Sequence, residues 1–212
     1  MDASAVEPYS LADFRRRVER RNASAGDDDG EYGDHRVNPE LRSLIVRDGL
    51  RDAAVLIPVV DHRDGATIIL TKRTEKLRTH SGQIAFPGGS VDPSDASPQD
   101  AALRETEEEI GLDRSFVKVI GRLPDYVSGS GFRVAPVIGI VRPGFLLTLN
   151  ADEVDNAFEV PLAFLMNEAN HGRESREWQG HMRRYYVMPY GDHYIWGLTA
   201  GIIRELYERL YA

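Results

Sequence analysis

No cysteine occurs among the 212 residues of the chain. Disulfides, thiolate metal sites and a cysteine nucleophile are therefore excluded, and the absence fits a cytoplasmic setting. No apolar run approaches the ~20 residues of a membrane span, so no membrane association is expected. The opening stretch, MDASAVEPYSLADFRRR, has no basic segment followed by an apolar one, and so does not read as a secretory signal. Positive charge is also in short supply. The 26 Lys and Arg against 34 Asp and Glu leave a net charge of −8, which argues against broad nucleic-acid binding. A small anion held by a metal and a few local arginines stays compatible with that balance. What is present is a globular composition, 42% hydrophobic and 28% charged, in a chain long enough for one sizeable core.

Periodicity predicts a short helix over residues 11–21, with Leu11, Phe14 and Val18 on one face and Ser10 as its cap. A Gly- and Asp-rich stretch over 22–35 is expected to be loop or disordered. Residues 1–36 are thus expected to form a peripheral helix and flexible segment, and residues 37–212 the main domain. A further short helix is expected within 38–48. Strands are expected over 53–60 and 66–71, turned at Asp64-Gly65, and over 116–122 and 132–141, with a mobile loop at 127–131. Residues 77–89 look like irregular loop and 161–167 like a short helix. A strand pair over 184–188 and 193–196 turns around Gly191-Asp192, and an amphipathic helix closes the chain over 198–211. Strands flanked by helices, with no repeat and no linker between large domains, indicate an α+β fold in which helices cover a mixed sheet.

The most informative segment is Arg104-Glu105-Thr106-Glu107-Glu108-Glu109-Ile110-Gly111-Leu112. A helix is predicted from Pro98 to Ile110. Ser97 suits its N-cap, Pro98 its first position, Asp100 a capping-box-like partner and Gly111 its stop. Ala102, Leu103, Thr106 and Ile110 form a stripe that docks on a core. Glu105, Glu108 and Glu109 share another face. Like charges at that spacing cost about 0.2–0.5 kcal/mol per pair, and they stand at the helix end that already carries partial negative charge. A bare acidic run is more often a solvated surface. Here the amphipathic, capped helix favours a divalent cation among the carboxylates, and Mg²⁺ commonly binds one or two carboxylates plus substrate phosphates.

Residues 86–112, FPGGSVDPSDASPQDAALRETEEEIGL, resemble the Nudix box, G-x5-E-x7-R-E-U-x-E-E-x-G-U, where U is a bulky aliphatic residue. Gly89, Arg104, Glu105, Glu108, Glu109, Gly111 and Leu112 match. Asp95 stands where the first Glu is expected, one residue farther from Arg104 than the pattern has it, and Thr106 replaces the first aliphatic residue. Residues 69–89, ILTKRTEKLRTHSGQIAFPGG, are similar to the signature of the coenzyme A pyrophosphatase subgroup, L-L-T-x-T-(S/A)-x3-R-x3-G-x3-F-P-G-G. Leu70, Thr71, Arg78, Gly82, Phe86, Pro87, Gly88 and Gly89 match. Ile69, Arg73 and Thr74 depart from it.

The resemblance implies an α/β/α sandwich with a central mixed sheet, residues 37–212 being the Nudix hydrolase domain. It implies hydrolysis of a nucleoside diphosphate linked to another moiety, with Mg²⁺ or Mn²⁺ as cofactor. The subgroup signature points to coenzyme A or its thioester and oxidised forms, giving 3′,5′-ADP and 4′-phosphopantetheine or its acyl form. ADP-ribose, NADH or a nucleoside triphosphate is the alternative substrate, and a non-catalytic nucleotide-binding module is the alternative of another class. Glu105, Glu108 and Glu109 are the expected metal ligands, with Glu108 a ligand or a water-orienting base. Arg104 is expected to orient the carboxylates and Glu153 to add a base or ligand. Arg73, Arg78, Gly82, Phe86, Gly88 and Gly89 are the substrate-side candidates, with His80 a further cation for a phosphate. His193 and Tyr194 are open to substrate contact or sheet packing. The small-molecule substrate is the expected partner, and a homodimer is a candidate assembly because family members are often dimers.

Overall fold

The computed structural model describes residues 7–24, 32–77 and 79–212. Arg78 and much of the stretch expected as a loop over 22–35 lie outside the described residues. The elements are α1 (Leu11–Ser24), β1 (Tyr32–Gly33), α2 (Arg42–Ile45), β2 (Arg51–His62), β3 (Gly65–Arg73), β4 (Ile84–Ala85), β5 (Gly88–Ser90) and α3 (Pro98–Ile110). They continue with β6 (Val117–Arg122), β7 (Tyr126–Val127), β8 (Phe132–Val141), β9 (Val154–Pro161), α4 (Leu162–Leu165), β10 (Gly172–Trp178), β11 (His181–Tyr190), β12 (His193–Trp196) and α5 (Gly197–Leu210).

The mixed sheet expected from the sequence runs β1-β7-β8-β2-β3-β4, with β5 on β2, β6 on β8 and β9 on β3. Its centre is the parallel pair β2–β8, in register from Arg51↔Phe132 to Val60↔Val141. Both strands are almost continuously apolar, as expected of strands buried on two faces. Alternation then sorts their side chains. Ile57 and Val59 join one cluster with Phe14, Val18, Ile203 and Leu206 of α1 and α5. Ala54, Leu56 and Val60 join the other with Ala101, Ala102 and Ile110 of α3. Helices therefore cover both faces of the sheet. A separate antiparallel sheet, β10-β11-β12, packs beside α5. Among the described residues, no helix is long and apolar enough to cross a membrane.

Several expectations need correction. The N-terminal helix is not peripheral: Phe14 and Val18 are fully buried in the main core. The stretch 77–89 carries β4 and β5, short strands that pair with β3 and β2. The segment expected as a mobile loop at 127–131 is packed. Ser128 is buried, and the Gly129 N–H donates to Asp34 Oδ2 at 2.7 Å. Strands β9 and β10 escaped the sequence reading. β10 is almost wholly exposed, so neither of its faces carries the alternation that marks a half-buried strand.

Candidate active site

Helix α3 begins and ends where its sequence directs. Ser97 accepts from the Asp100 N–H at 3.2 Å, a cap worth about 1 kcal/mol. The Asp100 carboxylate reaches back to the Ala96 N–H at 3.4 Å, one residue short of a capping box. Gly111 turns left-handed at φ 66, and its N–H donates to the Glu107 carbonyl. Two further carbonyls at this end are satisfied, Glu109 O by the Asn150 N–H and Ile110 O by the Thr148 N–H, both at 2.9 Å. Thr106, a departure from the family pattern, is buried, and its hydroxyl donates to the Ala102 carbonyl at 2.6 Å. The helix therefore satisfies that hydroxyl while the side chain stays in the docking stripe.

The three glutamates meet different surroundings. Glu109 is 2% exposed. Its Oε2 accepts from the Gly88 N–H at 3.1 Å, and its Oε1 accepts from Arg73 Nη1 at 3.1 Å. Burial pushes its carboxyl up to about 7, against the pull of Gly88 and Arg73. Glu105 is half-buried, and burial raises its carboxyl above the ordinary value. Glu108 is the most open, with 57% of its side chain exposed. The charge of Glu153 acts on both Glu105 and Glu109, which brings that loop carboxylate into the same neighbourhood. Glu153 Oε1 also accepts from the Asn150 amide at 3.1 Å.

Arg104 ties this face together. Its Nη1 donates to Glu105 Oε1 at 2.9 Å and to Glu108 Oε2 at 3.3 Å, and its Nη2 donates to the Ser90 carbonyl at 3.3 Å. Asp95 grips the same guanidinium in a bidentate pair, Oδ1 to Nε and Oδ2 to Nη2, both at 2.9 Å. That grip holds the Asp95 carboxyl down to about 2 and raises the Arg104 pKa. The short acidic residue at the unusual spacing therefore anchors the arginine.

The glycines make room for the carboxylates. A Cβ on Gly89 would fall well under 3.0 Å from the Glu105 carboxylate, and one on Gly88 equally close to the Ala54 carbonyl. Gly88, at φ 147, also has a backbone that only glycine adopts readily. Gly82 sits at φ 67 with its would-be Cβ against Glu75. It shapes the loop and does not line the cavity.

That cavity, of about 390 Å³, opens beside β5. Gly88, Gly89, Phe86 and Arg73 line one part, and Phe132, Arg176, Trp178 and Trp196 another. Phe86 also belongs to the main core at 3% exposure. His80 lines the cavity, with its Nδ1 3.0 Å from Gln83 Oε1. His193 and Tyr194 do not line it. His193 stacks on Phe158, and the Tyr194 hydroxyl donates to Glu174 at 2.7 Å. The sequence reading missed Arg176, Trp178, Arg183 and Trp196. One signal was available: the chain has 2 tryptophans, and both face this space. The Arg176 guanidinium lies 4.4 Å from the Trp196 ring centre, and Arg183 forms a buried ion pair with Asp34.

Among the described residues, no three His, Asp or Glu side chains are gathered into a finished metal cage. Arg104 spans Glu105 and Glu108, and Arg73 holds Glu109. The donor set still suits a hard divalent cation. Every candidate atom is a carboxylate oxygen, Gly89 leaves a cradle for Glu105, and the burial of Glu109 outweighs the pull of Arg73, so its charge stays penalised unless a further cation compensates.

The NUDIX domain family model matches residues 50–179. A protein of Escherichia coli (strain K12 / DH10B) described as "Uncharacterized Nudix hydrolase NudL" is 45% identical over 168 residues, which cover 78% of this chain and 87% of its own length. A protein of the same description from Shigella boydii serotype 4 (strain Sb227) is 46% identical over 168 residues, with the same coverage. Among solved structures, the NUDIX domain of Shewanella oneidensis NrtR complexed with ADP ribose aligns with a TM-score of 0.49 and 14% identity, over 77% of this chain and 90% of that one.

Proposed function

The chain belongs to the Nudix family, and from that premise we propose that it is a coenzyme A diphosphatase. It would use Mg²⁺ or Mn²⁺ to hydrolyse the diphosphate of coenzyme A, or of its thioester or oxidised forms, giving 3′,5′-ADP and 4′-phosphopantetheine or the acyl form. The observation that carries this reading is the cavity that joins Gly88 and Gly89, beside the α3 glutamates, to the aromatic and basic wall of Arg176, Trp178 and Trp196. The upstream sequence match at Leu70, Thr71, Arg78, Gly82 and 86–89 supports coenzyme A as the substrate.

Glu105, Glu108 and Glu109 would hold the cation. When bound, it neutralises diphosphate charge and acidifies water for attack. The remaining work falls to the chain itself. Arg104, fixed by Asp95, keeps Glu105 and Glu108 in one orientation. Arg73 and the Gly88 N–H fix the buried Glu109. Glu108, the most open carboxylate, would accept a proton from the attacking water, and Glu153 adds negative charge beside the site. Arg176 presents a guanidinium for substrate phosphate, and the tryptophans offer apolar faces to the adenine ring.

The test is incubation with coenzyme A, ADP-ribose and NADH, with and without Mg²⁺, followed by product identification. Metal-dependent release of 3′,5′-ADP from coenzyme A supports the proposal. Turnover of ADP-ribose or NADH with coenzyme A untouched removes it.

A further inference from the structure

Glu205 of α5 is 1% exposed, and neither of its carboxylate oxygens has a hydrogen-bond partner in the described structure. Arg209 Nε stands 3.2 Å from Oε1 as an ion pair without donor alignment, and the charges of Arg21 and Arg36 also act on the carboxylate. A buried carboxyl without an aligned donor is costly, and burial pushes this one up to about 8 against the pull of Arg209, Arg21 and Arg36. It lines a cavity of about 700 Å³ formed by β1, the turn that follows it, β10, β11 and α5. No residue lines both this cavity and the one beside β5. The hydrogen bond from the Tyr126 hydroxyl to Asp34, at 2.9 Å, lies between them, with Tyr126 on one side and Asp34 on the other.

Four arginines face the same space: Arg36, Arg173, Arg184 and Arg204. Arg184 is paired with Glu40, and Arg204 with Glu168 and Glu208. Arg36 and Arg173 have no carboxylate partner within ion-pair distance among the described residues. Arg36 lies 3.6 Å over the Tyr32 ring. Arg173 lies 5.1 Å from the Tyr186 ring and donates to its hydroxyl at 3.1 Å. Aromatic support of this kind holds a guanidinium in one orientation while its N–H fork stays available, the arrangement that suits phosphate.

We propose that this cavity is a second ligand site that takes a nucleoside monophosphate, its phosphate held by Arg36 and Arg173 and an N–H group of its base donated to Glu205. The volume falls in the range of small-molecule sites, about 300–1,000 Å³. An anion alone satisfies the arginines and leaves Glu205 without a donor. An uncharged amide satisfies Glu205 and leaves the arginines without an acceptor. A ligand carrying both groups completes the site.

The test is calorimetric titration of the full chain in metal-free buffer with AMP, adenosine and inorganic phosphate. AMP is expected to bind at least tenfold more tightly than either fragment. Arg36→Ala and Arg173→Ala are expected to weaken one AMP-binding event at least tenfold with unchanged melting temperature, and that event is expected to persist in Arg176→Ala, which disturbs only the cavity beside β5. Glu205→Leu, which has no acceptor and is checked for its melt, is expected to remove the advantage of AMP over phosphate, whereas Glu205→Gln, which keeps an acceptor oxygen, retains part of it. The proposal is overturned if AMP fails to bind at millimolar concentration, if phosphate binds as tightly as AMP, or if Arg176→Ala abolishes binding while Arg36→Ala and Arg173→Ala do not.

Discussion

Arg73, the last residue of β3, donates to Glu109 near the end of α3, Nη1 to Oε1 at 3.1 Å. The contact crosses from the sheet to the helix and holds the most buried of the three glutamates, whose second oxygen already takes the Gly88 N–H. Arg73 thus lies in the candidate cavity and also serves a carboxylate of the proposed metal site. Arg73→Ala is expected to destabilise the fold by about 1.5–3 kcal/mol, the range for hydrogen bonds to charged groups. Exposure of a quarter of the Arg73 side chain puts the value toward the low end. Urea unfolding measures it, and Arg73→Lys is expected to recover part of the loss.

Asp95 and Arg104 act as one unit. Arg104→Ala and Asp95→Ala are each expected to lower kcat about 10–100-fold, the usual scale for groups that orient ligands, with a smaller change in KM. Because both act through the same guanidinium, the double variant is expected to lose little more than Arg104→Ala alone. Steady-state kinetics on the four proteins reads this coupling, and fully additive losses contradict it.

Gly89 faces the Glu105 carboxylate with no room for a methyl group. Its backbone lies outside the left-handed region, so alanine introduces a clash with a movable side chain and little backbone strain. Gly89→Ala is expected to cost about 100-fold in kcat, since displacement by about 1 Å has that effect. The melting temperature moves by only a few degrees. A large loss of stability with normal kcat in the surviving fold contradicts the reading.

Glu205 predicts a pH dependence of stability. Its carboxyl titrates near 8 in the folded chain, against the ordinary value of about 4.3 when unfolded. Between those values the folded state binds the extra proton, so stability from this group is fully present below about 4.3 and is lost as pH rises toward 8. Glu205→Gln does not titrate. Its melting temperature relative to the parent chain is therefore expected to climb from pH 5 to pH 8.5. A difference that stays flat across that window contradicts the buried carboxyl.

Much of this was legible in the chain. The bounds of α3 follow from Ser97, Pro98 and Gly111, whose capping chemistry is local, and β8 follows from an apolar run broken only by Arg133 near its start. The glutamate face follows from helical spacing alone. Other features depend on contacts distant in sequence. The docking of α1 needs α5, about two hundred positions away. The packed turn at Gly129 needs Asp34, whose carboxylate supplies the acceptor. The tryptophan and arginine wall needs β10, whose exposed faces leave no periodic signal. Asp95 shows the same limit at short range: a shorter acid at a longer spacing looks like a weakened metal ligand until its bidentate grip on Arg104 is seen.

The most direct test is the time course of 3′,5′-ADP release from coenzyme A by the parent chain and by Glu108→Gln, in Mg²⁺ and in EDTA. The account predicts release by the parent chain in Mg²⁺, none in EDTA, and a rate at least about 100-fold lower for the folded Glu108→Gln variant. Equal rates in Mg²⁺ and EDTA, or an unimpaired Glu108→Gln, contradict it.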